Sequence, residues 1–123
     1  MKEKLRQHNI SFKNAFAGLF WAFRTQPNFL IHFSLAILAI LAGIILKVSH
    51  LEMTILVLTI VFGLGVEMVN TSIEAMTDLI TKEWRQEAKI AKDVAAGMML
   101  LAALGAVVVA ALILGPHLLV KLV

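Results

Sequence analysis

Three long apolar segments, separated by short polar ones, dominate the chain. They cover residues 29–48, 51–70 and 94–115, and the third contains no charged residue. A helix rises about 1.5 Å per residue, so about 20 residues cross a hydrocarbon core of about 30 Å. A soluble bundle of such helices would have too little polar surface. The pattern predicts an all-α integral membrane protein with membrane helices at 29–48, 51–80 and 91–115, the second extending into the cytoplasm.

Residues 1–26 have a different pattern, in which apolar and cationic positions alternate. The large apolar side chains recur every three or four residues and are Phe12, Phe16, Leu19, Phe20 and Phe23. This spacing predicts an amphipathic helix lying in the membrane interface. The segment lacks the uninterrupted apolar region and the small-residue cleavage site of a signal peptide. Pro27 predicts a break before the first span, because the residue before a proline disfavours the helical region.

Composition supports the membrane assignment and excludes several other classes. Hydrophobic residues make up 60% of the chain and charged residues 15%, against about 45–50% and 25% in soluble domains. With 0 Cys, the chain has no disulfide, no thiolate nucleophile and no cysteine-based metal site. The net charge of +3 is not gathered with aromatic residues into a patch, so nucleic-acid binding is not expected. With no repeat or long linker, residues 1–123 are predicted to form one domain.

The positions of lysine and arginine predict how the chain is oriented. Lys2, Lys4, Arg6, Lys13 and Arg24 precede the first span, and four more cations lie within 79–93. Cytoplasmic loops carry the excess of positive charge. We therefore expect a multi-pass protein of the cytoplasmic (inner) membrane, with the N-terminus and the 79–93 loop in the cytoplasm and the C-terminus outside.

Four polar residues on the second span form what we call the polar stripe: Glu67, Asn70, Glu74 and Asp78. Their spacings of three, four and four residues place them within an arc of about 80° on one helix face. Glu67 and Asn70 are expected at the inner edge of the membrane, and Glu74 and Asp78 beyond it. A charged group at membrane depth costs about 2.5–3.5 kcal/mol at the centre of a helix and less near its ends, so Glu67 indicates function. For Asp78, the solvated end of a long helix is an alternative explanation.

The polar stripe and the loop after it have the chemistry of a magnesium–nucleotide site. Mg²⁺ is typically bound by one or two carboxylates together with substrate phosphates, and ATP arrives as its magnesium complex. Cations in the loop could neutralise phosphate oxygens, although Lys89 is better explained as a topology signal. No phosphate-binding GxxxxGK[ST] loop, HExxH motif or nucleophile elbow is present, which excludes the soluble types of nucleotide and hydrolase site.

The pattern ExxNTxIExxxD over residues 67–78, followed by Lys92 and Asp93, resembles the prokaryotic diacylglycerol kinase and undecaprenol kinase family. The resemblance covers nearly the whole chain, including the RTQPNF entry to the first span. It implies a small membrane lipid kinase that transfers the γ-phosphoryl group of MgATP to a lipid hydroxyl. It also implies a homotrimer with sites between subunits. The seam of Ala102, Ala106 and Ala110 independently favours an oligomer.

The resemblance also implies roles for individual residues. Glu67 is expected to be the general base, and Glu74 and Gln26 the metal ligands. The lipid substrate is expected to contact Glu67, Phe16 and Phe20. The residues expected at the nucleotide are Asn70, Asp78, Glu83, Trp84, Arg85, Lys92 and Asp93.

Two positions depart from the family pattern. Well-known members carry Glu at the position of Gln26, and loss of that charge should weaken metal binding. Trp84 stands where the family often has Tyr, and an indole cannot accept a hydrogen bond. A catalytically weak member that binds lipid or nucleotide is therefore one alternative, and a small cation or drug transporter that uses Glu67 is another. The acceptor lipid stays open, although the RTQPNF and NTSIE motifs resemble the undecaprenol type more closely.

Overall fold

The computed structural model describes the backbone of residues 2–122 and the side chains of residues 11–121. Within that range the chain is helical and contains no strand, which confirms the all-α prediction and the N-terminal helix. The side chains of Lys2, Lys4 and Arg6 lie outside the described ones. The helices are α1 (Lys2–Thr25), α2 (Pro27–Leu46), α3 (His50–Ile80) and α4 (Gln86–Leu122).

Helices α2, α3 and α4 are each long and apolar enough to cross a membrane. Their large apolar side chains mostly face outward: Leu51, Leu101 and Leu112 are 71%, 72% and 71% exposed. Such a surface would be costly in water, at about 25 cal/mol per Å² of apolar area, but it is favourable against lipid tails. The prediction of a multi-pass membrane protein with three spans is confirmed.

The break between α1 and α2 lies where Pro27 predicts it. Gln26 has an extended backbone (φ −106°, ψ 104°), and Pro27 occupies the first turn of α2, where its missing N–H costs nothing. Phe23 of α1 packs edge to face against Phe29 and Phe33 of α2, with ring centroids 6.5 and 5.3 Å apart. These aromatic contacts hold the end of α1 against the start of the first span.

The opposite end of the bundle is closed by polar contacts between helices. Ser49 and Glu52 form a capping box at the start of α3, which satisfies backbone N–H groups that a helix start leaves free. Nε2 of His117 on α4 lies 3.1 Å from Oε1 of Glu52. Nζ of Lys121 donates to the carbonyl oxygen of Ile45 at 3.2 Å. Both α2 and α3 are thereby tied to the last turns of α4.

The polar loop expected over 79–93 is shorter in the structure. Helix α3 continues to Ile80 and α4 starts at Gln86, so only residues 81–85 are not helical. The many charges of 86–93 resemble a loop in a hydropathy pattern, but they suit the first turns of a helix. Glu87 lies in the first turn, where the helix dipole favours an anion, and Lys89 and Asp93 form an ion pair across one turn.

The third span is longer than the predicted 91–115. Helix α4 runs from Gln86 to Leu122 and passes through Pro116. Proline removes one backbone hydrogen bond and usually bends or ends a helix. Here the contacts of His117 and Lys121 with the neighbouring helices hold the segment after Pro116 in place, so the helix continues.

Gly43 allows α2 and α3 to pack closely near their turn. A Cβ atom at this buried position would lie 2.8 Å from Cε of Met53, 3.3 Å from Cγ2 of Val48 and 3.5 Å from Cδ1 of Leu56. We expect Gly43→Leu to lower the free energy of unfolding by about 1–3 kcal/mol, because overpacking forces neighbours out of place. Denaturant unfolding in detergent micelles measures this change. Gly105→Leu is the control, since nothing lies within 4 Å of a Cβ there; equal losses in both variants would contradict the packing argument.

Candidate active site

The polar stripe runs from a buried end to an exposed end on α3. Glu67 and Asn70 are only 2% and 6% exposed, Glu74 is half-buried and Asp78 is exposed. All four belong to one continuous helix, so the helix geometry fixes their order in depth. A buried carboxylate, Glu67, thus lies at one end of the stripe, and the more exposed carboxylates of Glu74 and Asp78 lie within three helical turns of it.

Two oxygens at the buried end of the polar stripe have no hydrogen-bond partner within residues 11–121. They are Oε2 of Glu67 and Oδ1 of Asn70. Asn70 uses its other amide atom: Nδ2 donates to Oε1 of Glu74 at 3.1 Å. Buried acceptors without a donor are costly and therefore uncommon, and they often belong to functional sites. Glu67 and Asn70 thus present two acceptors that a hydroxyl group or a cation could satisfy.

The exposed end of the polar stripe is joined to α4 by an ion pair. Nζ of Lys92 lies 2.5 Å from Oδ1 of Asp78. Asp93 forms its ion pair with Lys89, so Lys92 and Asp93 are adjacent on α4 but have different partners. The structure therefore brings Asp78 and Lys92 together, as a shared site requires, and it gives Lys89 a partner that the sequence did not indicate.

The loop between α3 and α4 carries the remaining nucleotide-binding candidates. Nη2 of Arg85 lies 3.1 Å from Oε2 of Glu83, and Trp84 is 78% exposed. An open cleft of about 510 Å³ lies beside this loop, between Thr77 and Thr81 on one side and Ala88 on the other. Because the loop side chains are exposed, they are free to meet a ligand from the aqueous side.

The recorded contacts of Gln26 and Phe20 in a single chain are with their neighbours in sequence rather than with the polar stripe. Nε2 of Gln26 donates to Oγ1 of Thr25 at 3.4 Å, and no hydrogen bond joins Gln26 to the polar stripe among the described side chains. Phe16 and Phe20 are 70% and 57% exposed, and the guanidinium of Arg24 stacks over the Phe20 ring at 4.3 Å. Their outward position suits contact with lipid.

The donor atoms present fit magnesium better than a transition metal. No three His, Asp or Glu side chains come together within residues 11–121 to form a metal site of their own. Glu74 offers carboxylate oxygens at the half-buried step of the polar stripe, and Gln26 offers an amide oxygen. Mg²⁺ needs only one or two such ligands when phosphate and water supply the rest. The residues therefore fit a metal that arrives with a nucleotide.

No role was expected for His32 from the sequence. His32 of α2 is half-buried and lines a cavity between α2, α3 and α4. A single histidine in an apolar span was a signal, since polar groups at membrane depth are usually functional. His117 was also missed, because its partner Glu52 lies 65 residues away.

The fold and the site together define a class: a small all-α, multi-pass membrane protein with a buried carboxylate on a spanning helix. Comparison with known proteins identifies its family. The family model of prokaryotic diacylglycerol kinase matches residues 13–114. The chain belongs to the prokaryotic diacylglycerol kinase family, a family of lipid kinases, and the resemblance seen in the sequence is confirmed.

Two curated relatives carry different substrate names. A diacylglycerol kinase of Synechocystis sp. is 40% identical over 111 residues, which are 89% of this chain and 63% of that relative. The chain thus spans less than two thirds of that protein. An undecaprenol kinase of Bacillus subtilis is 33% identical over 117 residues, which are 95% of each chain. The two names agree on the type of reaction and differ in the acceptor lipid.

The buried carboxylate should reduce stability. We expect Glu67→Met to raise the free energy of unfolding by about 1–3 kcal/mol, because it removes a buried acceptor without a partner and keeps the volume similar. Denaturant titration in detergent micelles measures the change. Glu87→Met, at the exposed start of α4, is the control and should lose a few tenths of a kcal/mol. A clear loss of stability in Glu67→Met would mean that Glu67 is paired in the folded protein.

Proposed function

We propose that this protein is an ATP-dependent lipid kinase that transfers the γ-phosphoryl group of MgATP to the hydroxyl group of a membrane lipid alcohol, undecaprenol or diacylglycerol. The observation that carries the proposal is Glu67, a buried carboxylate on a spanning helix with one oxygen free of partners. The family supports the reaction type, and both relatives bear the name of a lipid kinase.

Glu67 is the general base of the proposed reaction. The lipid hydroxyl donates its hydrogen bond to Oε2 of Glu67, and the carboxylate takes the proton as the oxygen attacks the γ-phosphorus. A bond forms between the lipid oxygen and phosphorus, and the bond from phosphorus to the β-phosphate oxygen breaks. ADP leaves with that electron pair. Burial of Glu67 keeps water, a competing acceptor, away from the carboxylate.

The middle of the polar stripe holds the metal in this proposal. Glu74 and Gln26 are the ligands, and Asn70 keeps one oxygen of Glu74 in place through the 3.1 Å hydrogen bond from Nδ2. When bound with ATP, Mg²⁺ supplies positive charge to the phosphate oxygens. Phosphoryl transfer requires mainly positioning and charge stabilisation. The hydrogen bond from Asn70 helps with positioning, because it holds the Glu74 carboxylate in place.

The nucleotide occupies the exposed end of the polar stripe and the adjoining loop. Lys92, held beside Asp78, has an ammonium group directed at this end and stabilises phosphate charge. The loop side chains Glu83, Trp84 and Arg85 and the adjacent Asp93 contact the rest of the nucleotide. ATP is a cytoplasmic molecule, so this end of α3 and the N-terminus face the cytoplasm, in agreement with the excess of cations near them.

A homotrimer with sites between subunits completes the proposal. In one chain, Gln26 has Thr25 as its partner rather than any residue of the polar stripe, and Phe16 and Phe20 are exposed. A neighbouring subunit would bring these residues to the polar stripe and would cover apolar faces of the spans. The number of subunits comes from the family resemblance.

The proposal is tested with purified protein in mild detergent, MgATP labelled at the γ-phosphate, and undecaprenol and diacylglycerol offered separately. We expect magnesium-dependent label in one lipid.

We also expect Glu67→Gln to reduce the turnover number at least about 100-fold with nucleotide binding retained, because general-base catalysis contributes about 10²–10⁴-fold. Turnover of the variant within a few fold of the wild type would reject the base assignment. Label in neither lipid, with uptake of a cationic solute into proteoliposomes, would favour a transporter.

The amide at position 26 should limit metal affinity. We expect Gln26→Glu to lower the magnesium concentration that gives half-maximal transfer by about tenfold or more, because a second carboxylate adds a charged ligand. A magnesium titration at fixed ATP measures this. The control is Gln7→Glu, which adds the same charge 19 residues earlier in the chain. If Gln26→Glu leaves the magnesium requirement unchanged, Gln26 is not a metal ligand. The hypothesis that this amide makes the protein a catalytically weak family member would then be rejected.

A further inference from the structure

A cavity of about 270 Å³ lies between the three spans of a single chain. Its wall includes His32 and Ala36 of α2, Gly63 of α3, and Ala106 and Ala110 of α4. The lining on α3 extends from Leu56 to Leu64, about 12 Å along the helix at 1.5 Å per residue. We call this cavity the tail slot. It is an elongated apolar space with helices on three sides.

The tail slot begins next to the candidate general base. Glu67 follows Leu64 by three residues and Gly63 by four, so it lies one helical turn beyond the lining and on the same side of α3. His32 also lines the slot, and in the antiparallel pair of α2 and α3 it lies level with Gly63, because the two residues are about equally far from the turn at 47–49. The slot thus leads from the buried carboxylate into the apolar interior of the bundle.

The slot exists because small residues line it where larger ones would fit. A Cβ atom at Gly63 would meet nothing within 4 Å, and the α4 wall consists largely of alanines. The one hydroxyl in the lining is already used, because Oγ1 of Thr59 donates to the carbonyl oxygen of Ile55 at 2.8 Å. Apart from the His32 imidazole, the lining side chains therefore offer no free polar group to a water molecule, and apolar cavities of this kind bind apolar ligands.

We propose that the tail slot holds the hydrocarbon tail of the acceptor lipid, with the lipid hydroxyl at Glu67 and His32 beside it. This inference rests on the proposed kinase function. A lipid alcohol whose hydroxyl reaches a carboxylate at the membrane edge must place its tail deeper, and the slot is the apolar space that continues from Glu67 in that direction. Contact along about 12 Å would hold the hydroxyl in register with the base, which raises the effective concentration of the reacting group.

The main test fills the slot from Gly63. We expect Gly63→Val to raise KM for a long-tailed acceptor about tenfold or more, since a mismatch in an apolar pocket costs about 10–200-fold. KM for a tail-less analogue of the same headgroup should stay within twofold. The pairs are dioleoylglycerol with dibutyrylglycerol, and undecaprenol with a five-carbon prenol, chosen according to the acceptor that the wild type uses.

Gly65→Val is the matched control for this test. Gly65 lies on the same helix, outside the slot lining, and a Cβ there also meets nothing within 4 Å. We expect its KM for both acceptors to match the wild type. Equal KM values of Gly63→Val and Gly65→Val for the long acceptor would overturn the tail slot and leave the kinase proposal intact. A wild type that phosphorylates no lipid would instead reject the kinase itself.

Photo-crosslinking of the wild-type protein tests the slot without a substitution. An acceptor with a diazirine in the middle of its tail should label α2, α3 and α4 at slot residues, and excess unlabelled acceptor should suppress the labelling. The same tail on an acetylated headgroup, which lacks the hydroxyl, should label the slot at least fivefold less. Equal labelling by both probes would mean that the slot holds bulk lipid. A change of oligomer size in Gly63→Val would mean that a second copy occupies it. Either result would overturn the proposal.

Discussion

The free-energy cost of burying a carboxylate inside an apolar helix bundle is the main constraint on this structure. Glu67 is 2% exposed and sits on a helix that is apolar enough to span a membrane, where an ionisable group is expensive. Its position near the end of the apolar stretch limits that cost, and the helices around it keep water out. Other helices must pack around Glu67, because α3 alone would expose it to lipid. The same burial that lowers stability makes the carboxylate useful, since an unpartnered oxygen can accept a proton or a hydrogen bond.

Pairs at both ends of α3 and α4 fix how these two helices lie against each other. Asp78 and Lys92 are joined near the α3–α4 loop, and Glu52 and His117 at the far end. The exposed pair of Asp78 and Lys92 adds little stability and the pair of Glu52 and His117 is half-buried, but two pairs more than 25 residues apart along α3 restrict sliding and rotation. Residues of α3 between the two pairs, including Glu67 and Gly63, therefore keep a constant position and orientation relative to α4. The polar stripe and the tail slot depend on that alignment.

The sequence predicts what depends on local pattern and misses what depends on distant partners. The three spans, the break at Pro27 and the order of the polar stripe follow from hydropathy, proline chemistry and helical periodicity. The helical state of 86–90 was missed, because charged residues resemble a loop until the pair of Lys89 and Asp93 is seen. The partner of His117 lies 65 residues away, and the tail slot is defined by three helices at once. No window of sequence contains such information.

Within residues 11–121, the buried side-chain atoms that have no hydrogen-bond partner are all acceptors. Oε2 of Glu67 and Oδ1 of Asn70 are acceptors without donors within residues 11–121, so what completes them must bring hydrogen-bond donors or positive charge. A lipid hydroxyl brings one donor, and a metal–nucleotide complex brings positive charge. In the proposed trimer the Gln26 amide of a neighbouring copy could also donate to one of them, whereas an apolar side chain would leave both oxygens unsatisfied. The chemistry of these acceptors therefore favours substrates at the buried end of the polar stripe, with subunit contacts around it.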